Sequence, residues 1–346
     1  MQCQFFGNHK QRPALVSKKM LVFRRNSGVH LAVPLALLAL GVLSAAALHY
    51  ECPEPVDIFP CYCEEEDEEA MMFCNHFWKP DQIYKSIRGL KKNNGIYKMS
   101  FFMNRILEPV NADAFKDAPV ERIMFENSTV TLLAPQFSGL EDYLVSLQMR
   151  ATFNKTNPVG SWSLSHLTKL KELIFDKNKI MTLEDDWLAS APKSLRSISL
   201  ENNNIITLGD KVFTKATNVM FLILDGNRLT AMKRSMFPSP AESLRSLSLN
   251  FNRLRYLPYD LFVDMPNLRI IEIQHNRLTT LEEPIWSVMW SQLSKLDLSE
   301  NPLECDRSLK WIVSADTKPV LLYGECQAPE KLKNKSLKSL TMADFS

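Results

Sequence analysis

Residues 244–254 read LRSLSLNFNRL. The frame is LxxLxLxxNxL, with Leu244, Leu247, Leu249 and Leu254 as its apolar letters and Asn252 in a fixed polar slot. It returns at 268–278 as LRIIEIQHNRL and at 293–303 as LSKLDLSENPL. Extended in both directions it gives nine copies, starting at Ile96, Val120, Leu144, Leu170, Leu195, Val219, Leu244, Leu268 and Leu293, spaced 24 to 26 residues apart. Self-similarity at a fixed period marks a solenoid, whose units bury their apolar sides against neighbours because none can do so alone.

Each LxxLxL stretch alternates apolar and polar, so it reads as a short strand with one buried face. Stacked copies predict an α/β, right-handed solenoid with a parallel concave sheet and an irregular or short-helical convex side. The polar slot runs Asn104, Ser128, Thr152, Asn178, Asn203, Asn227, Asn252, Asn276 and Asn301. A buried asparagine carries both donor and acceptor and can bridge the turn of one repeat to the next. Ser128 and Thr152 do only part of this, so the second and third repeats are expected to be less regular. The Asn157-Pro158 and Gly160 turn residues in the third point the same way. A second column, Phe115, Phe137, Trp162, Trp187, Phe213, Phe237, Phe262 and Trp286, predicts a buried aromatic spine on the convex side.

The first 47 residues hold six basic side chains and no acid, and 31–48 are apolar (LAVPLALLALGVLSAAAL). Basic, apolar and small-residue zones in that order predict a secretory signal peptide over 1–47, with Met20 as an alternative start. An uncleaved signal anchor is the rival, since 18 apolar residues can just span a bilayer. No second such run follows. Without the leader's six, the 41 basic residues fall to 35 against 39 acidic, which is no basic field for nucleic acid. Cys52, Cys61, Cys63, Cys74, Cys305 and Cys326 follow the leader, an even set that fits disulfides formed during secretion. Zinc is the rival for the first four, disfavoured by the single residue between Cys61 and Cys63. The acidic run at 64–69 is expected to be a solvated loop. The cysteines divide the chain into an N-terminal cap over 48–95, repeats over 96–303 and a C-terminal cap over 304–346, where Leu309 and Trp311 would cover the open core and Cys305 and Cys326 would staple the cover.

These motifs resemble extracellular leucine-rich repeat proteins of the typical 24-residue class. CPEPVDIFPCYC with Cys74 is similar to the cysteine-rich N-terminal cap of that family, and NPLECDRSLKWI with Cys326 to its C-terminal cap. The resemblance implies pairings Cys52–Cys63 and Cys61–Cys74. Family C-caps usually hold two more cysteines, paired with each other. Arg307 stands where one would be and the other is missing too, which leaves Cys305–Cys326 intact. Within the family, the N-cap, the RLTTLEEPIW stretch and the C-cap are most similar to arthropod secreted proteins labelled as like the non-catalytic subunit of oplophorus-luciferin 2-monooxygenase.

Catalytic motifs for serine, zinc, nucleotide or dinucleotide chemistry are missing from the sequence. The expected activity is therefore binding, not catalysis, with no cofactor and no metal. The letters that vary between repeats face the concave side. Asp176, Glu201, Asp225, Asn250 and Gln274 form one column, and Ile174, Met220, Phe221, Ile223, Phe251 and Ile270 lie beside it. Apolar residues flanked by charge fit a protein-docking site. The partner expected is a protein, met by a secreted chain or accessory subunit, or by a tethered receptor ectodomain if the leader stays. Asn127, Asn154 and Asn334 open glycosylation sequons.

Overall fold

The structure is a computed structural model that describes residues 50–67, 69–90, 95–116, 118–154 and 158–346. The leader lies outside the described residues, as do Asn157 and the Lys155-Thr156 part of the Asn154 sequon.

One sheet of twelve strands runs along the described chain in sequence order. Its strands are β1 (Tyr62–Glu66), β2 (Glu69–Asn75), β3 (Ile96–Phe102), β4 (Val120–Glu126), β5 (Ser146–Arg150), β6 (Glu172–Ile174), β7 (Ser197–Ser199), β8 (Phe221–Ile223), β9 (Ser246–Ser248), β10 (Ile270–Glu272), β11 (Lys295–Asp297) and β12 (Leu321–Tyr323). Only β1 with β2 is antiparallel. The nine repeats supply β3 to β11, and each cap adds pairing beyond them. Alternation decides the faces. In the tenth strand and just past it, Ile271 and Ile273 are buried while Ile270, Glu272 and Gln274 are half-exposed. The return segments hold only short pieces, such as the 3-10 turn Arg234–Met236 and the one-turn helix Glu283–Trp286. The fold is the expected leucine-rich repeat solenoid.

The polar slot is buried in all nine repeats. Asn252 donates to the carbonyls of Leu224 (2.9 Å) and Leu249 (3.1 Å), and its Oδ1 accepts from the Leu229 amide at 3.0 Å. Asn276 repeats this with Leu249 and Leu254, and Asn301 with Ile273 and Leu278. Each bridge reaches back to the preceding repeat. The residue just before the slot is left-handed every time: Met103, Asn127, Ala151, Lys177, Asn202, Gly226, Phe251, His275 and Glu300 have φ between 48° and 66°. That twist lets the chain leave the strand while the next side chain turns inward. Only one of the nine is glycine, so the others hold a backbone that L-residues disfavour by about 1–2 kcal/mol.

The expectation for the second and third repeats is corrected. Their strands, with that of the first repeat, are the longest of the nine at five to seven residues, against three elsewhere. IYKMSFF and VERIMFE are rich in β-branched and aromatic residues, which favour extended pairing. Ser128 and Thr152 still join the ladder. Ser128 Oγ accepts from the Asn104 amide at 3.2 Å, and Thr152 Oγ1 donates to the Arg150 carbonyl at 3.0 Å. The longer β pairing is shared by the first repeat, which keeps Asn104, so strand length here follows the strand sequence and not the slot residue.

The eight convex rings are all buried. Phe115 meets Phe137 at 5.1 Å, Trp187 meets Phe213 at 6.4 Å, and Phe262 meets Trp286 at 5.3 Å between ring centres. Phe175 connects Trp162 (5.0 Å) to Trp187 (6.0 Å). Each ring fully withdrawn from water contributes about 2–3 kcal/mol.

In the N-terminal cap the disulfides are Cys52–Cys63 and Cys61–Cys74, and in the C-terminal cap Cys305–Cys326. The acidic run is not a loop, which corrects the sequence reading. Glu64 to Glu66 lie in β1, Asp67 turns at φ 51°, and Glu69 begins β2. Glu65 accepts from the Cys52 amide at 2.8 Å, so one glutamate holds the entry of the cap. Leu309 and Trp311 are buried, and the Trp311 indole donates to the Leu281 carbonyl at 2.9 Å, tying the C-terminal cover to the last repeats.

Replacing Asn252 by Ala strands the Leu229 amide, while the Leu224 and Leu249 carbonyls each lose one of two donors and keep Asn227 and Asn276. Such a loss costs about 1–3 kcal/mol per buried group. The expected result is a lower urea midpoint, with amide exchange accelerating first at Leu229. A Leu229 amide as protected as in the wild type would refute the ladder's role.

Candidate functional site

The register sets three columns on the concave face. The first runs Lys98, Arg122, Ser146, Glu172, Ser197, Phe221, Ser246, Ile270, Lys295 and Leu321. The second runs Ser100, Met124, Gln148, Ile174, Ser199, Ile223, Ser248, Glu272, Asp297 and Tyr323 through the same pairs. The third begins with Phe102, Glu126 and Arg150, and the repeat frame continues it through Asp176, Glu201, Asp225, Asn250, Gln274 and Ser299. Outside the third column lies the left-handed rim.

The third column is less free than its letters imply, and here the sequence reading is corrected. Asp176 is 9 % exposed and Asn250 5 % exposed. Asp176 Oδ1 accepts from the Ser199 hydroxyl (2.6 Å) and the Glu201 amide (2.8 Å). Asp225 accepts from the Asn250 amide (2.9 Å) and its Nδ2 (3.1 Å), and Asn250 Oδ1 accepts from the Gln274 amide at 3.0 Å. These side chains form a second ladder that satisfies backbone donors past the short strands. Burial pushes the Asp176 and Asp225 carboxyls above their ordinary values, against the lowering effect of these hydrogen bonds. Committed in this way, neither is placed for acid–base work on a substrate.

The apolar letters behave otherwise. Phe221 is 43 % exposed and Phe251 52 %. Met220, Ile174, Ile223 and Ile270 are half-buried, as are Glu201 and Gln274. Phe251 stacks on His275 with ring centres 4.3 Å apart, both on left-handed backbone. Leu321 and Tyr323 in β12 continue the exposed apolar surface. Sequence reasoning missed these two because they belong to the cap, outside the repeat frame. It missed the role of His275 as well, since the stacking depends on a backbone twist that no glycine announces. Towards the other end the face turns basic, with Lys98, Arg122 and Arg150 on adjacent strands. Of the sequon asparagines, Asn127 and Asn334 are exposed, and Asn154 is half-buried.

A family model for the leucine rich repeat matches residues 168–229 and 242–303. No curated protein matches the chain. Among solved structures, a chain of the octameric complex of Latrophilin 3, Unc5D and FLRT2 (LRR) aligns with TM-score 0.54 and 16 % identity, over 81 % of this chain and 91 % of that one. The TLR13–ssRNA13 complex aligns with TM-score 0.59 and 20 % identity, over 73 % of this chain but only 35 % of that one. At such identities the likeness speaks to the fold.

Asp176→Asn keeps both hydrogen bonds to Oδ1 and removes a desolvated charge. A carboxyl with a raised folded-state value opposes folding above that value and ceases to below the unfolded value, about 3.9. Asp176→Asn is therefore expected to melt higher than the wild type at neutral pH, with the gap closing as pH falls to about 4. Melting curves over that range check it, and an unchanged gap would contradict the burial argument. With two matched segments, a continuous polar ladder and a fold shared with both structures, this chain carries a leucine-rich repeat solenoid.

Proposed function

We propose that the protein is a secreted binding scaffold that docks a protein partner on the C-terminal half of its concave face. The observation that carries this reading is the pair of exposed rings Phe221 and Phe251, with the half-buried Ile270, Ile223, Met220 and Ile174 beside them, on one face of the sheet. Phe251 and His275 add to it. The left-handed turn shared by every repeat aims their side chains outward at the rim, where the two rings stack. Glu201 and Gln274 supply the polar margin. Anchors of this kind, apolar and aromatic within a polar rim, dominate protein interfaces. An accessory role beside a separate catalytic chain is one form of this function, in line with the luciferin monooxygenase resemblance.

The proposal predicts that Phe221→Ala with Ile270→Ala leaves the melting temperature within a few degrees while weakening partner capture about tenfold or more. Undiminished capture by the folded double variant would place the partner elsewhere.

Removal of the leader and glycans at Asn127, Asn154 and Asn334 belong to the same reading. Among the described residues no helix is long and apolar enough to cross a membrane. Intact mass of the protein collected from culture medium, before and after glycosidase, is expected to give a chain starting near Leu48 and a glycan mass that disappears on treatment. A chain retained on membranes with its leader intact would favour the tethered form.

A further inference from the structure

Lys98, Arg122 and Arg150 lie on β3, β4 and β5, at the opposite end of the concave face from the apolar group. Lys98 and Arg122 are direct register partners, and Arg150 stands one strand further, four residues along from the Ser146 that faces Arg122, in the row of Glu126. Strands about 4.8 Å apart set Lys98 beside Arg122, and four residues at about 3.3 Å each carry the Arg150 backbone roughly 13 Å further along the same face. All three are half-buried. Only Arg122 has a carboxylate, Glu172 at 3.1 Å. Among the described residues no ion pair reaches Lys98 or Arg150. The buried Nε atoms of Arg122 and Arg150 and the buried Ser100 hydroxyl on the neighbouring β3 find no hydrogen-bond partner there. Burial, and then the fields of Arg150 and Arg122, hold the Lys98 ammonium below its ordinary value and outweigh Glu126 and Glu69. A fold has no need to gather cations at such a cost, and sites that do are commonly functional.

Deepening the binding function above and resting on it, we propose that Lys98, Arg122 and Arg150 form a subsite for a carboxylate-bearing segment of the protein partner. The surroundings select that chemistry. Phe73 and Phe102 stack at 6.3 Å beside the cluster, and Tyr62 stacks on Phe73 at 5.1 Å, an aromatic floor for the apolar part of a peptide. Glu69, Glu126 and Glu172 are interleaved with the cations, so a dense polyanion such as a sulfated glycan meets repulsion along its length. A single glutamate or aspartate between Lys98 and Arg150 does not. Charge pairs of this kind steer association and fix the register of the docked chain, while the apolar end anchors it.

The test selects random peptides displayed on phage against the full glycosylated protein, then compares the winners on Lys98→Gln/Arg150→Gln and on Phe221→Ala/Ile270→Ala. The expected result is enrichment of Asp or Glu among peptides that lose about tenfold or more on Lys98→Gln/Arg150→Gln and weaken with salt. That variant relieves cation repulsion and should melt no lower than the wild type. Should it fail to fold, Arg150→Gln alone is used. Winners without acidic residues, or acidic winners indifferent to the substitution, would overturn the subsite. So would heparin that binds the wild type and is lost on the variant, which would assign the cluster to sulfated glycans. Winners sensitive only to Phe221→Ala/Ile270→Ala reject the subsite and leave the binding function standing. Acidic winners indifferent to Phe221→Ala/Ile270→Ala support the subsite and remove the apolar anchor.

Discussion

Everything in this molecule depends on one constraint, which is that a strand leaving a stacked sheet must hand its unpaired backbone groups to something. The buried column from Asn104 to Asn301 meets it. One carboxamide can accept from an amide of the preceding repeat and donate to carbonyls on both sides of the joint. Unpaired, those groups would cost about 1–3 kcal/mol each. To bring the carboxamide inward the preceding residue must turn left-handed, and it does so in all nine repeats. The ladder thus fixes strand spacing, the depth of the leucines and the outward aim of the rim side chains together.

The concave face inherits its layout from this arrangement. With strands of only three residues from β6 onward, the backbone beyond each strand needs further acceptors, and Asp176, Asp225 and Asn250 provide them. Acidic letters that look like surface decoration are therefore structural and partly desolvated. Where the strands are longer, backbone pairing does that work and the third column is released. Arg150 stands there without an ion pair among the described residues. Strand length separates a face that spends its polar letters on folding from one that keeps them for contact.

What could be read from the sequence follows the same division. Leu247, Leu249 and Asn252 repeat, and repetition encodes the stack, so the solenoid and its polar column were legible from LRSLSLNFNRL alone. The aromatic spine was legible for the same reason. The site was legible only in part. Phe221 and Ile270 could be placed by strand alternation, and Phe221 is exposed and Ile270 half-exposed as that alternation requires. Asp176 and Asn250 shared the alternation but not the exposure, because their fate depends on where the neighbouring strand ends. Leu321 and Tyr323 carry no repeat signal, since the cap builds β12 from unrelated sequence. The second and third repeats show the converse error. A weak letter in the slot does not weaken the strand before it: in the second repeat Ile123 and Phe125 supply the β preference, and that preference is set independently of Ser128.

A face built this way has two kinds of chemistry at fixed separation. The basic cluster spans β3 to β5, and the exposed apolar group begins at β8. The three strands of spacing between them amount to roughly 14 Å at 4.8 Å per step. A rigid sheet cannot adjust that distance, so an occupant must already match it. Affinity from the apolar anchors and orientation from the charges then become separable, because residues so far apart with no shared partner act nearly additively. If the proposed docking face holds, the repeat number between β5 and β8 acts as a ruler for the ligand, and inserting or deleting one repeat is expected to change which partners fit without touching a single contact residue.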